Sequence, residues 1–306
     1  MKVITLFLLM LFFGCTLSQT SDSAESLSTT DRRLSTARTI EPQNLPPNIK
    51  YSWLEEALDA KQSLVNQISV PKGYSRVDVA EGSFAQWLRF LPLLPADSKV
   101  MLFDGREKPY QAGAYRVLNI DIGKSDLQQC ADAIMRLKAE YHYSKADYAN
   151  IHFNYTSGHK VSFDDWRKGR KPIVSGNKVS FSGATGQTDN SYTNFKKYLR
   201  SIFMFAGTAS LEKEMKAVSI DQLKIGDVFI KGGFPGHAVL VVDMAVHQES
   251  GQKIFLLAQS YMPAQSIHIL KNFEHKSAAS PWYPADFGAT LFTPEWDFGR
   301  NSSKGF

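Results

Sequence analysis

Cysteine is scarce in this chain: there are two in 306 residues, Cys15 and Cys130. A framework of several disulfides is therefore excluded, and a chain of this length can bury a core that folds without one. If Cys15 is processed or acylated, Cys130 stands alone and no disulfide can form within the mature monomer. An unpaired thiol in an exported protein has two explanations: it is either a small buried hydrophobe or a reactive group.

Phosphate-binding motifs and runs of like charge are also lacking. Neither a P-loop nor G-x-G-x-x-G follows a predicted strand, so the sequence gives no support for nucleotide chemistry and predicts no cofactor. The 35 basic and 30 acidic residues leave a net charge of +5 and are scattered along the chain. This pattern argues against a dedicated nucleic-acid binder and fits weak attraction to anionic polymers of a cell envelope.

Long hydrophobic runs are absent as well. The apolar run at residues 3–13 is too short to span a bilayer and is typical of a secretory signal. It ends in Gly14-Cys15, which resembles a bacterial lipobox, so Cys15 would be diacylated; ordinary cleavage at about residues 18–20 is the alternative. Residues 16–39 are rich in Ser and Thr, which predicts a disordered tether. We expect an exported, lipid-anchored protein of the periplasm, outer membrane or cell surface, with residues 1–15 as the signal and 40–306 as a single α+β domain.

The body of the chain contains both helical and strand patterns. Ser125, with Gln128 three positions later, predicts a capping box at the start of the strongest helix, 125–143. The run IGDVFIKGGFPGHAVLVVDMA predicts two strands joined by a Gly-Gly-Phe-Pro-Gly turn, in which Gly232, Gly233 and Gly236 would supply positive φ angles. Further helices are predicted within 49–68, at 83–91 and at 191–205, and further strands at 100–103, 115–122, 253–260 and 266–270.

Two residues of this pattern could carry chemistry. Cys130 lies near the start of the 125–143 helix, where the partial positive charge of a helix N-terminus favours thiolate. His237 opens an apolar strand directly after a glycine, a position suited to a catalytic base. Taken alone, such a histidine more often only forms a hydrogen bond across the turn, so its partner decides the interpretation.

The order of a cysteine helix, then antiparallel strands bearing His237 and the polar Gln259, resembles the papain-like thiol hydrolases, particularly the NlpC-type and CHAP-type envelope peptidases and amidases. The resemblance implies a papain-like core: a cysteine helix in the N-terminal half packed on an antiparallel sheet, with an insertion at about 144–220. It implies Cys130 as nucleophile, His237 as general base and Gln259 as the group that orients the imidazole. Ser260, Asp243 and His268 compete with Gln259 for the third role.

A second resemblance covers nearly everything from about Tyr51 onward. The runs LNIDIGKSDLQQCADAIMRLKAEY, IHFNYTSG, FMFAGTASL, FLLAQSYMPAQSIHILKN and TPEWDF are similar to the domain of unknown function numbered 4846, a family of exported bacterial proteins that are often lipoproteins. This resemblance implies an envelope location and supplies no activity.

Three functional hypotheses follow. The first is a cell-envelope thiol hydrolase that cleaves peptide or amide bonds, with Tyr155, Trp166, Arg167 and Arg170 on the insertion as substrate contacts. The second is a non-catalytic envelope lipoprotein that binds a glycan or peptide through the same loops. The third is a metal site drawing on His142, His152, His159 and His237, but their spacings match no metal signature, so no metal is predicted.

Overall fold

The computed structural model describes residues 42–274 and 281–306. The predicted signal, the Cys15 lipidation site and the tether lie outside the described residues. Pro42–Phe306 forms one compact unit. Within the described ranges, no helix combines the length and apolar character needed to cross a bilayer.

Six α-helices occur in the described residues, and two of them are long. The N-caps of the second, fourth and fifth helices are serines whose side chains accept a backbone N–H from the first turn, as expected for this residue type. In chain order the helices are α1 (Leu64–Gln67), α2 (Phe84–Arg89), α3 (Cys130–Ser144), α4 (Phe163–Arg167), α5 (Tyr192–Phe205) and α6 (Thr208–Glu214).

The strands form one large antiparallel sheet and three separate two-stranded ribbons. Their bounds are β1 (Tyr74–Arg76), β2 (Ala114–Val117), β3 (His152–Asn154), β4 (Lys160–Ser162), β5 (Pro172–Ser175), β6 (Lys178–Phe181), β7 (Lys216–Ala217), β8 (Val228–Lys231), β9 (His237–His247), β10 (Lys253–Gln259), β11 (His268–Leu270), β12 (Tyr283–Pro284), β13 (Thr290–Phe292), β14 (Asp297–Gly299) and β15 (Ser303–Gly305).

The centre of the large sheet is the antiparallel set β11-β10-β9-β8, with β2 beyond β11 and β15 and β7 beyond β8. Strand β9 is buried on both faces, from His237 to Ala245, as its continuous apolar sequence predicts. Helix α3 packs against β9 and β10. The fold is therefore α+β, with the cysteine helix lying on a large antiparallel sheet.

The prediction of a helix within 49–68 is confirmed by α1, which forms a single turn near the end of that range. The residues before it are irregular and are held by tertiary hydrogen bonds: Tyr51 donates its hydroxyl to the Trp87 carbonyl at 2.9 Å, and Trp53 donates its indole N–H to the Asn119 carbonyl at 2.7 Å. Two other local predictions were wrong. The segment at 100–103 forms only isolated bridges. Helix α3 begins five residues later than predicted, at Cys130, because the carboxylate of Asp132 accepts the backbone N–H of Gln129 at 3.1 Å and so caps the helix there.

The turn between β8 and β9 also differs from its prediction. Of its three glycines only Gly233 has a positive φ, at 113°. Gly236 is required by close approach, because a Cβ there would lie 2.4 Å from the Gly233 carbonyl oxygen. A Cβ on Gly232 would lie 2.4 Å from a carboxylate oxygen of Glu212, at the flexible end of that side chain. The turn is therefore packed tightly against its surroundings immediately before His237.

Candidate active site

A cavity of about 670 Å³ lies where the start of α3 meets the start of β9. Cys130 and His237 both line it. The turn at 233–236 and the segment 206–209 before and within α6 form other parts of its wall, and Tyr261 and Trp296 approach from later loops. Two residues that are far apart in sequence therefore share one cleft.

Cys130 is the first residue of α3 and is half-buried. The backbone N–H of Ala238, the residue that follows His237, favours the thiolate form of this side chain. Burial, followed by the negative charge of Asp132, raises the pKa of the thiol to about 11, and the nearby backbone N–H groups only partly oppose this rise. The expected depression of the thiol pKa at a helix start is therefore outweighed by desolvation.

The segment before Cys130 is fixed by contacts from the loop that follows Gln259. The hydroxyl of Ser260 lies 3.0 Å from the Gln128 carbonyl oxygen and 2.9 Å from the Gln265 carbonyl oxygen. The carboxylate of Asp126 accepts the backbone N–H of Ala264 at 2.6 Å. These hydrogen bonds connect the residues before Cys130 with the residues at the end of β10. The sheet therefore helps to position the thiol, in addition to its own helix.

His237 is almost fully buried, and its ring packs against three aromatic rings. The centroids of Tyr261, Trp296 and Phe298 lie 4.7, 5.6 and 5.9 Å from that of the imidazole. Burial lowers the pKa of His237 to about 4, and the hydrogen bond to Gln259 only partly offsets this. At neutral pH both the imidazole and the thiol are therefore uncharged in the unliganded cleft.

Gln259 connects the imidazole to a buried polar network. Its Oε1 lies 2.8 Å from His237 Nε2, and its Nε2 lies 2.6 Å from Glu295 Oε2 and 3.4 Å from His268 Nε2. Lys108 Nζ in turn lies 2.5 Å from Glu295 Oε2. His268 Nδ1 lies 2.9 Å from the Ser266 carbonyl oxygen. Every polar atom of the Gln259 side chain has a partner.

These contacts determine where the proton sits on His237. A carboxylate can only accept, so Glu295 requires the amide nitrogen of Gln259 on its side, which turns Oε1 towards His237. Oε1 can only accept, so His237 Nε2 carries the hydrogen. The lone pair is then on Nδ1. A histidine in this tautomer is prepared to take a proton at Nδ1 while Gln259 stabilises the resulting imidazolium.

The three competitors for the third role have other partners. Asp243 is fully buried and pairs with Arg76 at 2.5 Å and with Arg89 at 2.8 Å. Ser260 holds the approach to Cys130. His268 contacts Gln259 rather than His237, and burial lowers its pKa to about 3, which keeps it neutral. Of the four candidates, Gln259 is the one whose hydrogen bond to the His237 ring is observed.

The four predicted substrate contacts lie outside the lining of this cavity. Tyr155 is buried and shares a hydrogen bond with Ser201 at 2.6 Å, and the Trp166 indole donates to Asn194 at 3.1 Å. Arg167 donates to Asp164 at 2.8 Å, and Arg170 is paired more loosely with Asp165 at 3.7 Å. The structure gives these side chains packing and pairing partners on the body of the 144–220 segment. That segment reaches the cleft through other residues, Thr156, Phe203 and 206–209.

Sequence reasoning missed Glu295 and Lys108. Both lie in loops, Lys108 in the turn-rich DGREKPY and Glu295 in TPEWDF, and no periodic pattern marks them. The sequence offered one signal for Glu295: this carboxylate lies beside the tryptophan of a segment that was predicted to pack on the body of the domain. Lys108 is buried despite its charge, and this burial lowers its pKa.

Among the described residues, no group of three or more His, Cys, Asp or Glu side chains is arranged to hold a metal ion. Three of the four histidines considered for such a site have other partners: His142 pairs with Asp147 at 2.9 Å, and His159 lies 3.1 Å from Ser157. His237 is bonded to Gln259.

Comparison with known proteins gives one match. A family model described as Domain of unknown function (4846) matches residues 64–304. No curated protein matches the chain, and no solved structure does.

Proposed function

We propose that this chain, which belongs to the family defined by domain of unknown function 4846, is a thiol hydrolase that cleaves a peptide or amide bond in the cell envelope. The observation that carries the proposal is the shared cleft: Cys130 and His237 line one cavity, and His237 Nε2 is 2.8 Å from Gln259 Oε1. A nucleophile, a base and a group that orients the base are the parts that covalent acyl transfer requires. The proposal gives the chain a papain-like core, made of α3 and the sheet, with the 144–220 segment as an insertion.

The neutral resting pair determines the first step. Because burial disfavours both charged forms, proton transfer accompanies attack instead of preceding it. His237 Nδ1 takes the thiol proton as the Cys130 sulfur bonds to the substrate carbonyl carbon. The carbonyl oxygen becomes an oxyanion, and backbone N–H groups in the first turn of α3, which have no carbonyl partner within the helix, would stabilise it.

The second half of the reaction returns the proton. The imidazolium gives the Nδ1 proton to the leaving nitrogen as the C–N bond breaks, which leaves a thioester on Cys130. Water then attacks the thioester carbon, with Nδ1 again accepting the proton. The C–S bond breaks as the imidazolium returns this proton from Nδ1 to the sulfur, which releases the substrate acid and restores the thiol. During both imidazolium stages Gln259 accepts from Nε2–H, and the negative charge of Glu295 strengthens this hydrogen bond through the amide.

The rim of the cleft favours a peptide over a glycan as the substrate. Phe234 is 93% exposed and Met262 is 56% exposed, and both line the cavity. Exposed apolar side chains beside a cleft suit an apolar side chain of a peptide. An exported, lipid-anchored location, proposed from residues 1–15, would place this cleft next to envelope peptides.

The proposal is tested by incubating the full chain with a mixed-sequence peptide library and detecting new termini by mass spectrometry. Cleavage that disappears in Cys130→Ser and in His237→Ala, while both variants keep the far-UV circular dichroism of the wild type, supports the hydrolase. Cleavage that persists in either variant excludes this assignment. A wild type that binds peptides without cleaving them would instead establish the second hypothesis, the non-catalytic binder.

A further inference from the structure

A second cavity, of about 420 Å³, lies beside the cleft between the loop before α3 and one face of α5. The two cavities share Leu127 and Phe203 in their linings, so those residues form the boundary between them. A ligand in the cleft that extends past this boundary would enter the second cavity.

The charged side chains that line this second cavity are all basic. Four basic residues line it and, within the described part of the chain, no acidic residue does; the four are Lys124, Lys196, Lys197 and Arg200. Only Lys196 is neutralised by a carboxylate, that of Asp121, at 2.8 Å. Arg200 donates to the uncharged hydroxyl of Ser125 at 2.8 Å. Among the residues that the structure describes, no salt bridge holds Lys124, Lys197 or Arg200.

The cations on α5 lie close enough to repel one another, and the carboxylate of Asp121 offsets this repulsion at Lys196. Lys196 and Arg200 are four residues apart on one helix face, where like charges repel. Burial lowers the pKa of Lys196, and the buried guanidinium of Arg136 lowers it further, while the carboxylates of Asp121 and Glu140 act in the opposite direction. Leu127, Leu199 and Phe203 supply apolar surface in the same cavity. Arginine binds planar oxyanions through two parallel N–H donors, and methylene groups pack on apolar walls.

We infer that this basic cavity binds a carboxylate of the substrate, so that the enzyme acts on acidic peptides. The inference rests on the proposed function, because it takes the ligand of the second cavity to be an extension of the peptide held at Cys130. The acidic side chain would pair with Arg200 and Lys197, and its methylene groups would lie against Leu199 and Phe203.

The test measures binding separately from turnover. Isothermal titration of the full-chain Cys130→Ser variant compares the peptide acetyl-Ala-Glu-Ala-Glu-amide with acetyl-Ala-Gln-Ala-Gln-amide. The acidic peptide is expected to bind at least tenfold more tightly. Adding Arg200→Gln or Lys197→Gln should remove most of that difference, because a charge-assisted hydrogen bond is lost. Lys178→Gln, an exposed lysine of β6, makes the same change in net charge away from the cavity and should leave the difference intact.

The inference is overturned by equal affinity for the two peptides, by no measurable binding of either, or by a preference that Lys178→Gln reduces as much as Arg200→Gln does. Inorganic phosphate is titrated as a third ligand, alongside the two peptides. If it binds through Arg200 and the acidic peptide does not, the cavity serves phosphate instead of carboxylate and the inference is wrong. Cleavage of neutral and acidic peptides at equal rates would reject the inference and leave the proposed hydrolase activity standing. Selective binding of the acidic peptide without cleavage would support the role of the basic cavity and reject the hydrolase activity.

Discussion

Glu295 Oε2 lies 2.6 Å from Gln259 Nε2, and this contact orients the amide that holds His237. Without an acceptor on that side, the Gln259 amide could rotate by half a turn and present its nitrogen to the imidazole. Nε2 of His237 would then become the acceptor and Nδ1 would carry the hydrogen. The tautomer that the proposed mechanism needs therefore depends on a residue that does not touch the imidazole.

Replacing Glu295 with Gln should lower kcat/KM while leaving the fold intact. Loss of a charged hydrogen-bond acceptor costs about 1.5–3 kcal/mol, which corresponds to a fall of about 10- to 100-fold in rate. Imidazole ¹⁵N shifts should show the hydrogen at Nε2 in the wild type and a mixture of tautomers in Glu295→Gln. Glu249→Gln, at an exposed carboxylate in the β9–β10 turn, is the matched control. A wild-type His237 with its hydrogen at Nδ1 would contradict this account of the network.

Replacing Gly236 with Ala should destabilise the turn that positions His237. The added Cβ would lie 2.4 Å from the Gly233 carbonyl oxygen and 2.5 Å from Thr208 Oγ1. Overpacking of this kind costs about 1–3 kcal/mol, which urea denaturation would measure. Gly183→Ala is the control, since a Cβ there meets nothing within 4 Å and its φ is not positive. Equal stability of the two variants would show that close packing at Gly236 is not required.

The free energy of unfolding should fall as the pH drops below about 6.5. The unfolded chain binds a proton at each histidine near that pH, whereas burial holds the pKa of His268 at about 3 and that of His237 at about 4. The unfolded state then binds more protons, so stability is lost on acidification. Each such histidine contributes a slope of about 1.4 kcal/mol per pH unit.

The variant His268→Gln isolates one of these contributions. Urea denaturation between pH 6.5 and 5 measures how steeply the free energy of unfolding falls as the pH is lowered. That slope should be shallower in the variant than in the wild type, by the amount that about one bound proton contributes. If the free energies of unfolding of the two proteins change with pH in parallel, His268 is protonated in the folded state. It would then not be the neutral neighbour of Gln259 that we describe.

The parts of this site that were predictable are those that coincide with regular elements. Cys130 begins α3, the helix whose apolar spacing was recognised in the sequence, and His237 begins a strand whose continuous apolar run predicts burial on both faces. Helix α5 and strand β10 were predicted within a residue at each end. Local patterns mark such positions because helix and strand periodicity are properties of neighbouring residues.

The remaining features depend on contacts between distant segments. Glu295 and Lys108 meet at 2.5 Å although they are separated by 187 positions, and no local pattern records that pairing. The thiol pKa depends on burial that only the packed sheet supplies. Helix α3 was predicted to start at Ser125 because its spacing to Gln128 fits a capping box. The helix begins five residues later, at Cys130, where Asp132 accepts the backbone N–H of Gln129.

The central claim is that the Cys130 sulfur and the His237 imidazole form one reactive pair, and alkylation by iodoacetamide tests it without knowledge of the substrate. In the native protein the labelling rate at pH 7 should fall at least tenfold in His237→Ala, because the base that accepts the thiol proton is gone. The wild-type rate should rise with pH beyond about 8.5, the ordinary thiol value, since the Cys130 pKa is about 11. Both proteins should label equally after denaturation. Equal native rates, or labelling of the wild type only after denaturation, would contradict the claim.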